Sequence, residues 1–239
     1  MPLSRLSSRM TTAVASLARI ERVTLGDRVY AELRELLMGG DLAPGEKLSL
    51  RRVSEMMGVS MMPVREAVTR LVADAALEVL PNRSVSVPIL TLAQFRELTT
   101  VRLTIEGFAA EQAAHHRTDE ELRAIRGFEA AFHRESESAK PNPARAVHAN
   151  KDLHFSTYRA SRLPTLVAII EGLWLKIGPI LNFDLKMSPE RLRTGSAREQ
   201  HARLVAAVAA RDGDAARAAL VADVSGTAAF IERTGRLLE

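Results

Sequence analysis

The stretch from Gly58 to Leu71, GVSMMPVREAVTRL, constrains the fold more than any other part of the chain. Its glycine is placed to end a short helix in a left-handed conformation, and Ser60 can cap the helix that follows. Pro63 falls in the first turn of that helix, where a missing N–H is tolerated. An inward stripe is predicted at Val64, Val68 and Leu71. This pattern is typical of the turn and second helix of a DNA-binding helix-turn-helix.

The segments on both sides of this stretch complete a winged module. Apolar residues at helical spacing predict a first helix that stops at Gly39-Gly40, and Ser49 can cap a second short helix from Leu50 to Met57. Two alternating segments, residues 77–80 and 85–87, flank Pro81-Asn82-Arg83-Ser84 and indicate a β-hairpin. Residues 21–90 are therefore predicted to form a winged helix-turn-helix with a small β-hairpin wing.

Residues 91–239 have a helical periodicity throughout. The expected helices cover about residues 91–114, 119–138, 144–160, 163–183, 189–211 and 213–236. Residues 1–20 lack the continuous apolar core of a signal peptide and are predicted to form a flexible tail. The predicted fold class is thus mainly α, a winged helix-turn-helix followed by an all-α helical-bundle effector domain.

Composition narrows the class of protein. Aromatic residues are scarce, at 4%, and alanine is abundant, which favours close-packed helices. The absence of cysteine excludes a disulfide framework, a thiolate zinc site and a cysteine nucleophile, and it fits the cytoplasm. No continuous apolar run approaches the roughly 20 residues that span a bilayer, so no membrane partner is expected.

The net charge of +4 does not by itself indicate DNA binding. Basic and acidic residues nearly balance within residues 21–90, so the inference depends on where individual arginines lie. The N-terminal end of a recognition helix contacts base edges, which here places Ser60-Met61-Met62 and Arg65 at the major groove. Further phosphate or minor-groove contacts are expected from Arg51, Arg52 and Arg83.

The whole module resembles the winged helix-turn-helix of the GntR family of bacterial regulators. The matching residues are Leu36, Pro44-Gly45, Leu48, Gly58-Val59-Ser60, Pro63-Val64-Arg65-Glu66-Ala67, Leu71 and Leu77. The resemblance implies operator contacts by Arg51, Ser60, Arg65 and the wing tip near Asn82. Met61 departs from the family because an arginine is usual there, which changes the expected operator sequence. Ala75 and Ser84 stand where glycines are usual.

Polar residues lie on apolar helical stripes in the second domain, which resembles the effector domain of the family's FCD branch. Asn150 and His154 are spaced i, i+4, while His201 and Asp223 lie on later stripes. Each alone is more often a satisfied core residue, but together they could hold a divalent metal. The resemblance implies such a site at these four positions, and the donor set could accept zinc, nickel or manganese. Two positions depart from the family: Asn150 stands where an aspartate is usual, and Asp223 stands where a histidine is usual.

Effector binding is predicted for a second set of residues. Arg102 and Glu106 are also spaced i, i+4 and form either a solvated ion pair or part of a pocket. The resemblance implies that Arg102 faces the effector, where a guanidinium suits a carboxylate. Asn150, Trp174 and Asn182 are further candidates for lining the pocket, although Trp174 also fits ordinary core packing.

These features predict a homodimeric, ligand-responsive transcriptional regulator, a repressor or an activator, with operator DNA and a small carboxylate metabolite as partners. A metal-dependent hydrolase with an attached DNA-binding module is the alternative, because two imidazoles and a carboxylate resemble catalytic zinc. No second general acid or base has clear spacing, so a non-enzymatic protein is expected. In a third hypothesis, His154 and His201 bind the ligand by hydrogen bonds without a metal.

Overall fold

Helices carry most of the chain, as predicted for a mainly α protein. The computed structural model describes residues 23–187, 192, 195–235 and 237–239, so the predicted tail lies outside the described residues. The N-terminal module contains α1 (Leu25–Met38), β1 (Lys47–Leu48), α2 (Leu50–Met57), α3 (Met61–Ala73), β2 (Glu78–Val79) and β3 (Val85–Ser86). The helical bundle contains α4 (Leu92–His116), α5 (Asp119–Glu137), α6 (Pro143–Ala160), α7 (Pro164–Met187), α8 (Ala197–Ala210) and α9 (Gly213–Glu232).

Local signals fix the three helices of the N-terminal module. Thr24 and Asp27 form a capping box at the start of α1, and the Ser49 hydroxyl accepts from the Arg52 amide at the start of α2. Gly58 ends α2 with φ 63°, in the left-handed conformation predicted for it. Ser60 occupies the N-cap position of α3, but its side chain makes no cap hydrogen bond, contrary to expectation.

The wing belongs to a three-stranded antiparallel sheet rather than to a hairpin alone. Strand β3 lies between β1 and β2, so that Ser86 is opposite both Lys47 and Glu78. Sequence patterning missed β1 because a two-residue strand carries no measurable alternation. At the tip, Arg83 adopts the left-handed conformation, with φ 63°, while the side-chain Oδ1 of Asn82 accepts from the Ser84 backbone amide at 3.0 Å.

Small residues allow the helices of the bundle to approach closely. Helix α4 packs along α9, α5 packs along α6, and α8 packs along both α9 and α5. A Cβ added at Gly107 of α4 would lie 3.1 Å from Val221 Cγ2 of α9. Buried alanines line the same region, at Ala109, Ala110, Ala113, Ala216 and Ala219. The abundance of alanine thus serves close helix packing, as its composition predicts.

Helix α7 joins the bundle to the N-terminal module. A Cβ added at Gly178 would lie 2.9 Å from Met38 Cα, so α7 and the end of α1 are in direct backbone contact. The Asn182 amide donates to the Met38 carbonyl. Two ion pairs, Arg34–Glu171 and Lys151–Glu35, flank this contact. Contacts with α7 therefore determine most of the position of α1 on the bundle.

The same helix requires a correction to the sequence analysis. The stretch Pro164–Asn182 is long and apolar enough to cross a bilayer by length and composition, although no such segment was expected. Half of that stretch is buried inside the protein. A core helix of a soluble protein passes the same test, so this single helix is weak evidence for a membrane span.

A strained turn in the N-terminal module gives a test of stability. Ala75 has φ 55°, where an L-side chain is disfavoured and where glycine is usual in the resembling family. We expect Ala75→Gly to raise the free energy of unfolding by about 0.5–1 kcal/mol, measured by urea denaturation.

Ala206 provides the matched control, because it is exposed in the middle of α8. The same substitution there should lower the free energy of unfolding by about 1 kcal/mol. A destabilising effect of Ala75→Gly would contradict the assignment of strain to this turn.

Candidate DNA-recognition surface and buried polar cavity

The outer face of α3 is the candidate DNA-recognition surface. Its inner face buries Val64, Ala67, Val68 and Leu71 in the core of the N-terminal module. Since an α-helix turns about 100° per residue, Met62 lies about 160° from Val64 and points away from that core. Arg65 is also exposed, and it pairs with no carboxylate within the part of the chain that the structure describes. An exposed cation without an internal partner is free to bind DNA.

Other polar side chains of α3 contact groups within the N-terminal module. The Glu66 carboxylate lies against Gly26 at the start of α1. The Thr69 hydroxyl donates to the Arg65 carbonyl at 2.8 Å. Arg70 pairs with Asp27 at 2.8 Å and lies over the ring of Tyr30. Because these groups are engaged, Met62 and Arg65 dominate the accessible end of α3.

The remaining predicted DNA-contacting residues surround this face. Arg51 is exposed and pairs with Glu55 at 2.9 Å, a contact between two solvated groups that contributes little stability. The side chains of Arg52, Ser60, Asn82 and Arg83 are exposed as well. Met61 is partly buried, whereas its neighbour Met62 is 73% exposed. Sequence analysis placed both methionines at the base-contacting end of the helix, and the structure shows that Met62 is the exposed one.

A cavity of about 350 Å³ lies inside the helical bundle. Its apolar wall comes largely from α7, and its polar groups come from α4, α6 and α9. Four predicted effector residues line it, namely Arg102, Asn150, Trp174 and Asn182. Lining residues that sequence analysis did not identify include Phe132, Ser196, Thr227 and Arg233. The cavity is of a size that takes a small metabolite.

Three of the four predicted metal ligands meet at one side of this cavity. His154 Nε2 lies 3.2 Å from Asp223 Oδ2, and His201 Nε2 lies 3.6 Å from the same oxygen. One nitrogen or oxygen from each residue falls within 4.8 Å of the others, and all three residues are buried. Asn150 lines the cavity and is half-buried. The structure therefore brings together two imidazoles and a carboxylate.

The imidazole of His201 is unusual for a buried polar group. It is 1% exposed, and within the described residues neither ring nitrogen has a hydrogen-bond partner. Buried polar groups are rarely left without a partner, because desolvation without compensation costs about 1–3 kcal/mol. A ring nitrogen aimed at a shared carboxylate oxygen is a suitable ligand for a cation.

A buried carboxylate, Glu106, organises the other side of the cavity. Arg102 donates to it through Nε at 2.6 Å and through Nη2 at 3.1 Å. Tyr158 Oη donates at 2.5 Å and Trp174 Nε1 donates at 3.2 Å. Of the two alternatives for this pair, the structure excludes the solvated one, and Glu106 is enclosed rather than open to a ligand as predicted.

The proton on Tyr158 determines the state of His154. A phenol carries one proton, and Tyr158 uses it in the bond to Glu106. Its oxygen must then accept from His154 Nδ1, which lies 2.9 Å away. The lone pair of His154 Nε2 consequently faces Asp223 Oδ2, and two acceptors in contact require a proton or a metal ion between them.

The pKa shifts follow from the same contacts. Burial would raise the pKa of Asp223, but the attraction of the nearby His201 and His154 imidazoles outweighs it and holds that pKa far below its usual range. Burial acts to lower the pKa of Arg102, and its pairing with Glu106 raises it overall. Burial and the neighbouring Glu106 raise the pKa of the Tyr158 phenol well above its ordinary value. The cavity thus contains fixed charges at neutral pH.

Asn182 lines the cavity as predicted, and it has a structural contact as well. Its amide donates to the Met38 carbonyl at the end of α1. Trp174 likewise both lines the cavity and packs in the core, where its ring stacks edge-on against Phe155. Tyr158 was missed by sequence analysis, although it lies four residues after His154 on the same helical face.

Both halves of the chain match families of known proteins. Residues 25–87 match the family model described as bacterial regulatory proteins, gntR family, and residues 97–225 match the FCD domain model. The HTH-type transcriptional regulator McbR of Escherichia coli strain K12 is 30% identical over 200 residues, covering 83% of this chain and 89% of that protein. The solved structure of E. coli McbR/YncC has a TM-score of 0.81 and 28% identity, covering 89% of this chain and 99% of that one.

A further relative is a probable D-xylose utilization operon transcriptional repressor of Paenarthrobacter nicotinovorans. It is 27% identical over 214 residues, covering 88% of this chain and 90% of that protein. These relatives are described as regulators of transcription, so the comparisons give no support to the hydrolase alternative.

The Glu106 network leads to a prediction about stability. Tyr158→Phe removes a donor from a fully buried carboxylate and the acceptor of His154 Nδ1. We expect the free energy of unfolding to fall by about 2–3 kcal/mol in metal-free protein, measured by urea denaturation.

Tyr30→Phe is the matched control, because the Tyr30 hydroxyl donates to Asp74 near the surface. Water can replace that partner, so the loss there should be about 1 kcal/mol or less. Equal losses in the two variants would mean that Glu106 does not depend on Tyr158.

Proposed function

The chain belongs to the GntR family of bacterial regulatory proteins and carries an FCD domain, and from this premise we propose that it is a ligand-responsive repressor. Its N-terminal module binds operator DNA, and its helical bundle binds a small carboxylate metabolite. The role of repressor is favoured by the description of the P. nicotinovorans relative. Such a protein acts where the chromosome is, in the cytoplasm.

One observation carries the proposal for DNA binding. Helix α3 buries its apolar stripe and leaves Arg65 and the Ser60 hydroxyl exposed and uncommitted at its N-terminal end, within the described residues. A recognition helix contacts base edges with that end. Arg65 can hold a guanine or a phosphate, and Arg51, Arg52, Asn82 and Arg83 are placed to contact the backbone on either side.

We propose a homodimer as the active form. Two recognition helices on a twofold axis bind paired half-sites of a near-palindromic operator. The outer face of α4 supports self-association, because Val101 and Phe108 lie one heptad apart and are each 40% exposed. Exposed apolar side chains at this spacing suit packing against the same face of a second copy.

A divalent metal ion is proposed at His154, His201 and Asp223. The fit rests on the unpartnered nitrogens of His201 and on the contact between the His154 Nε2 lone pair and Asp223 Oδ2. Tyr158 holds His154 in the tautomer that offers Nε2, as supporting groups do for metal-binding histidines. Two imidazoles and one carboxylate suit zinc, nickel or manganese. The bound ion supplies positive charge for an anionic effector.

The proposed carboxylate effector is held differently from the sequence-based expectation. Arg102 is already neutralised by Glu106, so it supplies a donor at the cavity wall rather than a free charge. The metal ion therefore becomes the main anchor for a carboxylate. Asn150, Ser196 and Thr227 line the same cavity and provide both hydrogen-bond donors and hydrogen-bond acceptors.

The first prediction of the proposal concerns DNA. With an operator selected from random duplexes, Arg65→Ala should lower affinity about 10- to 100-fold, because a bidentate contact to a base or a strong phosphate contact is lost. If Arg65 contacts a phosphate, the plot of the logarithm of the association constant against the logarithm of the salt concentration should also become shallower in the variant, by about one in slope. Fluorescence anisotropy across a salt series measures both quantities.

Arg126→Ala is the control, because Arg126 is exposed on α5, away from α3. It should leave both quantities unchanged. If Arg65→Ala behaves like Arg126→Ala, the proposed recognition surface is wrong.

The second prediction concerns the metal. Untagged protein stripped with a chelator should bind one zinc ion per chain in calorimetry, and Asp223→Asn should weaken binding more than 10-fold because the charged ligand is lost. His148→Ala is the control, since that histidine is exposed on α6 and lies outside the cavity. Failure of the unmodified protein to bind any of zinc, nickel or manganese would favour a metal-free effector site.

A further inference from the structure

Met62 is an apolar side chain exposed where a recognition helix meets bases. It is the second residue of α3, is 73% exposed, and points away from the core of the N-terminal module. Met61, directly before it, is partly buried. At this exposure the thioether adds little to the packing of the module, and the major groove would cover it when DNA binds.

The neighbours of Met62 limit what it can recognise. Glu66, one turn further, lies against Gly26, and the Thr69 hydroxyl is bonded to the carbonyl of Arg65. Arg65 and the Ser60 hydroxyl are the exposed donors near it without a partner within the described residues. A thioether has no N–H or O–H group to donate to guanine or adenine. The apolar feature that the major groove offers is the 5-methyl group of thymine.

We infer that Met62 recognises a 5-methyl group in the major groove, so that each operator half-site carries a thymine beside the position that Arg65 contacts. The inference rests on the proposed role of α3 in DNA binding and adds a specificity-determining residue to it. Burial of one methyl group against the thioether corresponds to about a three- to fivefold gain in affinity. The polarizable, flexible Met side chain fits such a contact without strict geometry.

The test removes one methyl group at a time from the DNA. An operator is selected from random duplexes with the full-length protein, and each thymine is then replaced singly by deoxyuridine, which lacks only the 5-methyl group. We expect one thymine in each half-site at which this change lowers affinity about three- to fivefold. In Met62→Ala and in Met62→Gln, the same replacement should have no effect.

Met56→Ala is the matched control, because Met56 is 78% exposed but lies on α2. It should keep the full effect of deoxyuridine at that thymine, and Met62→Leu, which stays apolar, should keep most of it. Thermal unfolding of each variant verifies that the exposed substitutions leave the fold intact.

The outcomes separate this inference from the proposed function. Absence of any specific operator would overturn both. Specific binding without a thymine whose methyl group is coupled to Met62 would overturn the inference alone and leave the regulator intact. An effect of deoxyuridine that persists in Met62→Ala would assign the methyl contact to another side chain and would equally overturn it.

Discussion

The buried carboxylate of Glu106 is the interaction on which the effector side of the protein depends. A carboxylate enclosed in a helical bundle is very unfavourable unless charge and hydrogen bonds compensate for its lost hydration. Arg102 supplies the charge from one turn earlier on α4, and Tyr158 and Trp174 bring donors from α6 and α7. Three helices are thereby held around one group. Removal of any partner would leave a buried charge incompletely satisfied, which ties the shape of the cavity to this network.

The same network determines which atom of His154 faces the proposed metal position. Because Tyr158 donates to Glu106, His154 must place its proton on Nδ1, and its Nε2 lone pair is directed toward Asp223. Tyr158, which is not one of the proposed ligands, thus sets which atom of His154 is offered to a metal ion. This also explains why Arg102 serves structure more than effector binding: its charge is already balanced by Glu106.

Sequence patterns predicted the features that depend on neighbours along the chain. The N-cap at Ser49, the left-handed Gly58 and the buried stripe of α3 are confirmed, because each is fixed by local backbone geometry. The bond between Tyr158 and Glu106 joins residues far apart in sequence, and no helical spacing predicts it. The i, i+4 spacing of Arg102 and Glu106 was visible, yet its burial depended on donors from other helices. Local periodicity therefore identified candidate groups but not their partners.

Helix α7 connects the two proposed binding activities physically. Trp174 and Asn182 line the cavity, while Gly178 of the same helix contacts the backbone of Met38 at the end of α1. The flanking ion pair Arg34–Glu171 is partly exposed, so it contributes little to position. A ligand that binds one placement of α7 better than another changes the equilibrium between placements of α1, and it must have such a preference to regulate at all. Gly178 is not among the residues that line the cavity, so the proposed coupling between effector and DNA would be separable from the effector-binding surface.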